Sequence, residues 1–291
     1  MKKILVPIDF SENTDRTCQY ALEIAKKYNS EIRLFHSYFD QIIVSDSSFP
    51  TGVDTDTMLN EQLLRDIEQR AREDIVNLQS KLIEQLKKEN IHSVKIVYTL
   101  KGGDPESEII DECSEYKPDL IIMGSSGRGR KSILTGSVSK KIMNNANLPV
   151  LAIPQDYTFK GIRNVLYMTD FGGPDQDLLN KLMKLLQDFD IQIHCLHMNI
   201  HDDKREENEK KMNAIKECFS EEVKSGTLSC NLVDSKDIGE DIEKYVKENN
   251  IDLIAFLSHK RNIFKRLFTS KVTKKDLFQA DIPLLAFHTE G

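Results

Sequence analysis

The sequence predicts an α/β protein built from two doubly wound domains, each a five-stranded parallel sheet flanked by helices. Three observations predict it. Short apolar stretches alternate with longer amphipathic ones, the pattern of βαβ units. The strand motifs of the first half recur in the second, in the same order. A chain of 291 residues is long enough for two domains that each bury a core.

The elements of the first half follow in order. Residues 3–8 read as a strand whose apolar run, Ile4-Leu5-Val6, suits burial on both faces. Residues 13–28 read as a helix and 31–37 as the second strand. Gln41 to Asp56 has few periodic signals and several Ser, Thr and Asp residues. It is a long loop, either folded over the mouth of a site or mobile. A long helix is expected over 57–89, because Leu63, Leu64, Ile67, Ala71, Ile75, Leu78, Leu82 and Leu86 recur at helical spacing. A strand at 93–99 precedes Asp104-Pro105, a capping residue followed by a proline suited to the first helical position. That helix spans 105–116. A strand at 119–123, a helix at 137–146 and a strand at 149–153 complete the half.

The second half repeats these motifs. Ile4-Leu5-Val6-Pro7-Ile8-Asp9-Phe10 returns as Val165-Leu166-Tyr167-Met168-Thr169-Asp170-Phe171. Glu31–His36 returns as Gln192–His197, Asp119–Met123 as Asp252–Phe256, and Leu148–Ile153 as Ile282–Phe287. Two copies of one domain are therefore expected, at 1–155 and 161–291, joined across Pro154–Gly161. The second copy is shorter, mainly between its second and third strands.

The most informative segment is Met123-Gly124-Ser125-Ser126-Gly127-Arg128-Gly129-Arg130, running on to Thr135-Gly136-Ser137-Val138. It joins a strand end to a helix start. Glycines let backbone N–H groups approach a ligand, and a helix N-terminus favours negative charge, so this is a candidate phosphate cradle. The competing reading is a glycine turn with solvated basic residues. Asp9 ends the first strand. It is either the cap of the following helix or a carboxylate facing the glycine loop across the crevice of an open parallel sheet. There it would accept from an adenine amino group or a ribose hydroxyl. In the second half, Gly124, Gly127 and Gly136 correspond to Leu257, Lys260 and Ser270, and the loop from His259 to Arg266 is basic but not glycine-rich. Its cradle is expected to be lost.

Composition narrows the function. The formal net charge is −7, which gives no general affinity for nucleic acid. No apolar run approaches the ~20 residues of a membrane span. The N-terminus enters a strand at once, so a cytoplasmic protein without a signal peptide is expected. Five cysteines are scattered without C-x-x-C spacing, which argues against a disulfide framework or a zinc site. His194 and His197 fall on opposite faces of one strand, so no metal site is expected there.

These motifs resemble the universal stress protein family in its tandem form, over essentially the whole chain. Ile4–Asp9, Leu34-Phe35-His36 and Gly103-Asp104-Pro105 are similar to its first strand, second strand and the turn before its third helix. Gly124-x-x-Gly127 followed by Gly136-Ser137 is similar to the family's ATP-binding signature, G-x2-G-x9-G-[ST]. Here eight residues, not nine, separate Gly127 from Gly136. The shortening is either absorbed around Gly129 or shifts Gly136 and weakens the phosphate contacts. The resemblance implies a Rossmann-like sheet of order 3-2-1-4-5 in each domain. It also implies pairing through the last strands, so Val150–Ile153 and Leu284–Phe287 would meet in a pseudo-twofold pair within the chain. A further homodimer is left open. The resemblance implies ATP or another adenine nucleotide as ligand, with or without Mg, and a role in stress. Pro7, Ile8, Asp9 and Ser37 would line its adenine and ribose end. Met123, Gly124, Gly127, Gly136, Ser137 and Val138 would surround ribose and phosphates. Charge alone adds Arg128, Arg130 and Lys131.

Two other readings remain at this point. A slow ATP-hydrolysing enzyme would need a second carboxylate beside the phosphates, which the sequence does not reveal. Phe171-Gly172-Gly173-Pro174-Asp175-Gln176 echoes a pyrophosphatase loop but lacks both of its serines and reads as a turn. No catalytic residue is assigned. A ligand-free scaffold with unidentified protein partners would follow if the shortened loop no longer binds nucleotide.

Overall fold

The computed structural model describes residues 1–38, 53–125, 137–199, 204–258 and 282–288, with backbone alone for 53–61. Asp9 and Ser37 fall within these residues. Gly127, Arg128, Arg130, Lys131, Gly136, Lys260 and Ser270 lie outside them.

The first half runs β1 (Lys3–Pro7), α1 (Thr14–Tyr28), β2 (Glu31–Tyr38), α2 (Val53–Lys88), β3 (Lys95–Gly102), α3 (Pro105–Tyr116), β4 (Leu120–Gly124), α4 (Ser137–Asn145) and β5 (Val150–Ile153). The second runs β6 (Asn164–Met168), α5 (Asp175–Leu185), β7 (Gln192–Asn199), α6 (Arg205–Cys218), α7 (Ser220–Ser225), β8 (Leu228–Asp234), α8 (Ile238–Glu248), β9 (Leu253–Leu257) and β10 (Leu284–Phe287). The helix expected from residue 57 begins at Val53, so Val53–Asp56 are helical rather than loop. Residues 39–52 of the expected loop lie outside the described residues.

The strands form one sheet, in the order β3-β2-β1-β4-β5-β10-β9-β6-β7-β8. Each half has the 3-2-1-4-5 order, and all pairs within a half are parallel. The halves join where β5 meets β10 antiparallel, with Leu151 opposite Leu285 and Val150 opposite Ala286. Each of these strands is fully buried. Two edges that would otherwise expose unpaired backbone groups satisfy each other, as like strands do across a twofold axis. His288 strengthens the seam: its Nδ1 lies 3.0 Å from the Leu148 carbonyl and its Nε2 2.7 Å from that of Met143. On one face of the sheet, Tyr20 of α1 packs edge-on against Phe159 of the join, ring centres 4.9 Å apart.

The duplication extends to individual hydrogen bonds. Asp119 Oδ2 accepts from the N–H groups of Lys2 and Lys3, and Asp252 Oδ2 from those of Arg163 and Asn164. Asp104 caps α3 through Glu106 and Ser107, and Asp237 caps α8 through Gly239 and Glu240. Among the described residues, no helix is long and apolar enough to cross a membrane.

The seam is core, since Leu285 is only 1% exposed. Leu285→Ala is therefore expected to lower the unfolding free energy by about 2–5 kcal/mol in urea denaturation. A loss under about 1 kcal/mol would show that the two halves do not depend on it.

Candidate functional site

The site is built where β1, β2 and β4 end. Beyond β1 the chain turns sharply, with Phe10 in the left-handed region at φ 53°. Such a conformation in a bulky residue costs of order 1–3 kcal/mol and needs support. Asp9 Oδ1 accepts from the Ser11 N–H at 3.0 Å. His36 Nδ1 lies 2.9 Å from the Ile8 carbonyl, so that nitrogen carries the proton and donates. The Phe10 and His36 rings meet edge to face at 4.7 Å. Asp9 is thus not the cap of α1, whose N-cap position is Asn13.

The opposite wall is the end of β4 and the start of α4. Gly124 pairs with Ile153, and Ser139 donates from Oγ to the Gly124 carbonyl at 2.7 Å, tying α4 to the strand end. A Cβ on Gly124 would lie 2.8 Å from Asn13 Nδ2. That amide is buried and donates to the Ile153 carbonyl at 2.9 Å. The need for glycine at this position therefore comes from α1, before any ligand is considered. The sequence reading weighed ligand approach against a glycine turn and held no sign of this contact.

Between these walls lies a cavity of about 580 Å³. It brings together Pro7, Ile8, Asp9, Ser37, Met123, Gly124, Ser137 and Val138, which are all the sequence-derived candidates among the described residues. Ser37 also donates from Oγ to the Gly103 carbonyl at 3.2 Å, fixing the turn before α3. The volume suits a ligand of a few hundred Å³, and apolar walls with few polar groups are typical of such sites. Sequence reasoning missed one wall altogether. Ile67, Arg70, Ala71 and Asp74 of α2 line the cavity, as do Pro105 and Ile109 of α3. The apolar stripe of α2 held the signal for Ile67 and Ala71. Nothing local shows that this part of the helix reaches past the sheet.

The second half keeps the turn and changes the site. Phe171 is left-handed at φ 56°, Asp170 Oδ1 accepts from the Gly172 N–H, and His197 Nδ1 lies 2.8 Å from the Thr169 carbonyl. But Leu257 stands where β4 has Gly124, and Pro174 and Leu178 stand where α1 has Asn13 and Thr17. Leu178 and Leu257 belong to one apolar core. From α6, the buried Asn208 donates to His197 Nε2 at 3.2 Å and to Asn199 Oδ1 at 3.0 Å. A cavity of about 330 Å³ exists in this half, but Gly173, Asp175 and Lys211 line it between α5 and α6. It is not the counterpart of the first.

Comparison with known proteins fits this duplication. The model of the universal stress protein family matches residues 1–154 and again 161–288. A universal stress protein of Methanocaldococcus jannaschii is 31% identical over 155 residues, which cover 52% of this chain and 81% of that protein. The stress response protein NhaX of Bacillus subtilis is 27% identical over 169 residues, covering 52% of this chain and 96% of NhaX. The crystal structure of a universal stress protein from Archaeoglobus fulgidus has a TM-score of 0.66 at 17% identity, covering 98% of this chain and 96% of the other. At that identity the likeness is one of fold.

The contact at Gly124 is testable. Gly124→Ala is expected to cost about 1–3 kcal/mol, the usual range for overpacking. The cost should fall in an Asn13→Ser background, giving non-additive energies in a double-mutant cycle. Additive costs would mean that the new Cβ meets something other than Asn13.

Proposed function

The chain belongs to the universal stress protein family, with one copy of the family domain in each half, and on that premise we propose that its N-terminal half binds ATP or another adenine nucleotide as a cytoplasmic stress regulator. One observation carries the proposal. The cavity joins the end of β1, the end of β4 and the first residues of α4, the crevice where a doubly wound sheet takes its ligand. The start of α4, at Ser137, Val138 and Ser139, would face the phosphates with its free N–H groups and positive dipole end. Arg128, Arg130 and Lys131 would add positive charge. Asp9, with one oxygen engaged by Ser11, would receive a ribose hydroxyl or the adenine amino group through the other. Ile8, Ser37 and Pro105 would border the base. Where Mg²⁺ accompanies ATP it would be held through the phosphates, and Asp74 is the lining carboxylate not already assigned to the nucleoside.

The second half would hold no nucleotide. Leu257 replaces the glycine, Asn208 engages His197, and the 259–266 loop lacks glycines. One nucleotide per chain follows.

Calorimetry with ATP, AMP and adenosine, each with and without Mg²⁺, tests this reading. Affinity is expected to fall from ATP to adenosine, because each phosphate lost removes contacts to the α4 start and the glycine loop. Gly127→Val should weaken ATP binding at least about tenfold, the loss of roughly 1.4 kcal/mol, while Lys260→Ala should change it little. Equal affinity for the three ligands, or none, would remove the phosphate-binding role.

A further inference from the structure

The second half carries a pair of thiols that the nucleotide site does not use. Cys195 on β7 and Cys230 on β8 are register partners on adjacent parallel strands. Register partners project to the same face of a sheet. Both belong to the core beneath α6, Cys195 buried within it and Cys230 packed partly exposed against it. Neighbouring strands run about 4.8 Å apart. A disulfide spans Cα atoms about 4.4–6.8 Å apart, so the backbone already stands at bridging distance. Among the described residues β8 is also the outermost strand of the sheet and pairs with β7 alone. It can therefore adjust to bring the two Cβ atoms together without displacing a second neighbour. In the first half the corresponding register pair is Leu34 and Tyr98, so the thiols are a feature of the second half alone.

We propose that Cys195 and Cys230 form a redox-active dithiol, oxidised by hydrogen peroxide to a disulfide that ties the edge strand to the sheet. Cys230, the more accessible thiol, reacts first. Its thiolate attacks one peroxide oxygen, the O–O bond breaks, and the departing hydroxide takes up the thiol proton as water. Cys230 is then a sulfenic acid. The Cys195 sulfur attacks Cys230 Sγ, the S–O bond breaks, and the hydroxyl leaves as a second water with the Cys195 proton. Two thiols lose two electrons, which reduce one peroxide.

The ionisation of the pair supports this order. The direct contact with the Cys195 thiol is the largest cause lowering the Cys230 pKa, and nearby Lys216 acts in the same direction. The same contact, together with burial, raises that of Cys195. The outer cysteine is therefore the one of the pair that ionises first, which suits it to attack the peroxide, with the inner one as resolving partner.

The test uses the full chain and a small excess of hydrogen peroxide, followed by alkylation under denaturing conditions and peptide mass spectrometry. The five cysteines are free at the start. The free thiol count is expected to fall by two, with a peptide linked through Cys195 and Cys230 that dithiothreitol releases. In Cys195→Ser, dimedone should label Cys230. In Cys230→Ser, Cys195 should remain a thiol under the same treatment, with an unchanged far-ultraviolet circular dichroism spectrum. Cys218, exposed on α6, supplies the internal comparison. Persistence of both thiols, or a disulfide formed through Cys218 in their place, would overturn the proposal.

Discussion

The placement of β1 between β2 and β4 is the constraint from which the rest follows. Its residues feed both cores: Ile4 and Val6 point into one face of the sheet and Leu5 into the other. All three are fully buried, so the strand cannot slip by one residue without exchanging its two faces. After β1 the chain winds outward through β2 and β3, then returns to the other side for β4 and β5. The ends of β1 and β4 therefore flank the point where the strand order reverses, and a crevice lies beside them. The left-handed turn at Phe10 and the close packing of Asn13 on Gly124 set the two walls of that crevice. α2 and α3 close its far end.

The two halves form an internal experiment in divergence. Bonds that build the frame recur: the aspartates that fasten β1 and β6, the caps of α3 and α8, and the turn after the first strand. Residues that pack at the end of β4 do not recur. A polar group of Asn13, Thr17 and Gly124 has become an apolar one of Pro174, Leu178 and Leu257. The exchange is self-consistent. A side chain at residue 124 would strike the Asn13 amide, whereas Leu257 joins the core that Leu178 helps to form. The second half has thereby turned the counterpart of a cavity wall into packing. Its frame still completes the single sheet, because β10 covers the edge that β5 would otherwise expose.

Much of this was legible in the sequence, because the signals were local. Apolar strand runs, the Asp104-Pro105 cap and the four recurring motifs gave the sheet and its duplication. The candidates at strand ends were legible for the same reason, since doubly wound sheets place ligands there. What stayed hidden depends on distance in space. β3 runs on to Gly102 because Leu100, Lys101 and Gly102 still pair with His36, Ser37 and Tyr38, although their own sequence shows no strand pattern. The wall contributed by Arg70 and Asp74 depends on how far α2 extends past the sheet. Cys195 and Cys230 read as scattered because strand register is not visible in one dimension.

The central claim is that one half is a nucleotide site and the other a packed copy of it. Hydrogen exchange of the full chain, with and without saturating ATP, tests this most directly, because it reads both halves at once. The account predicts slowed exchange in the segments after β1 and β4 and in α2 near Arg70 and Asp74. The segments after β6 and β9 should exchange unchanged. Equal protection in the two halves, or protection confined to the second, would contradict it.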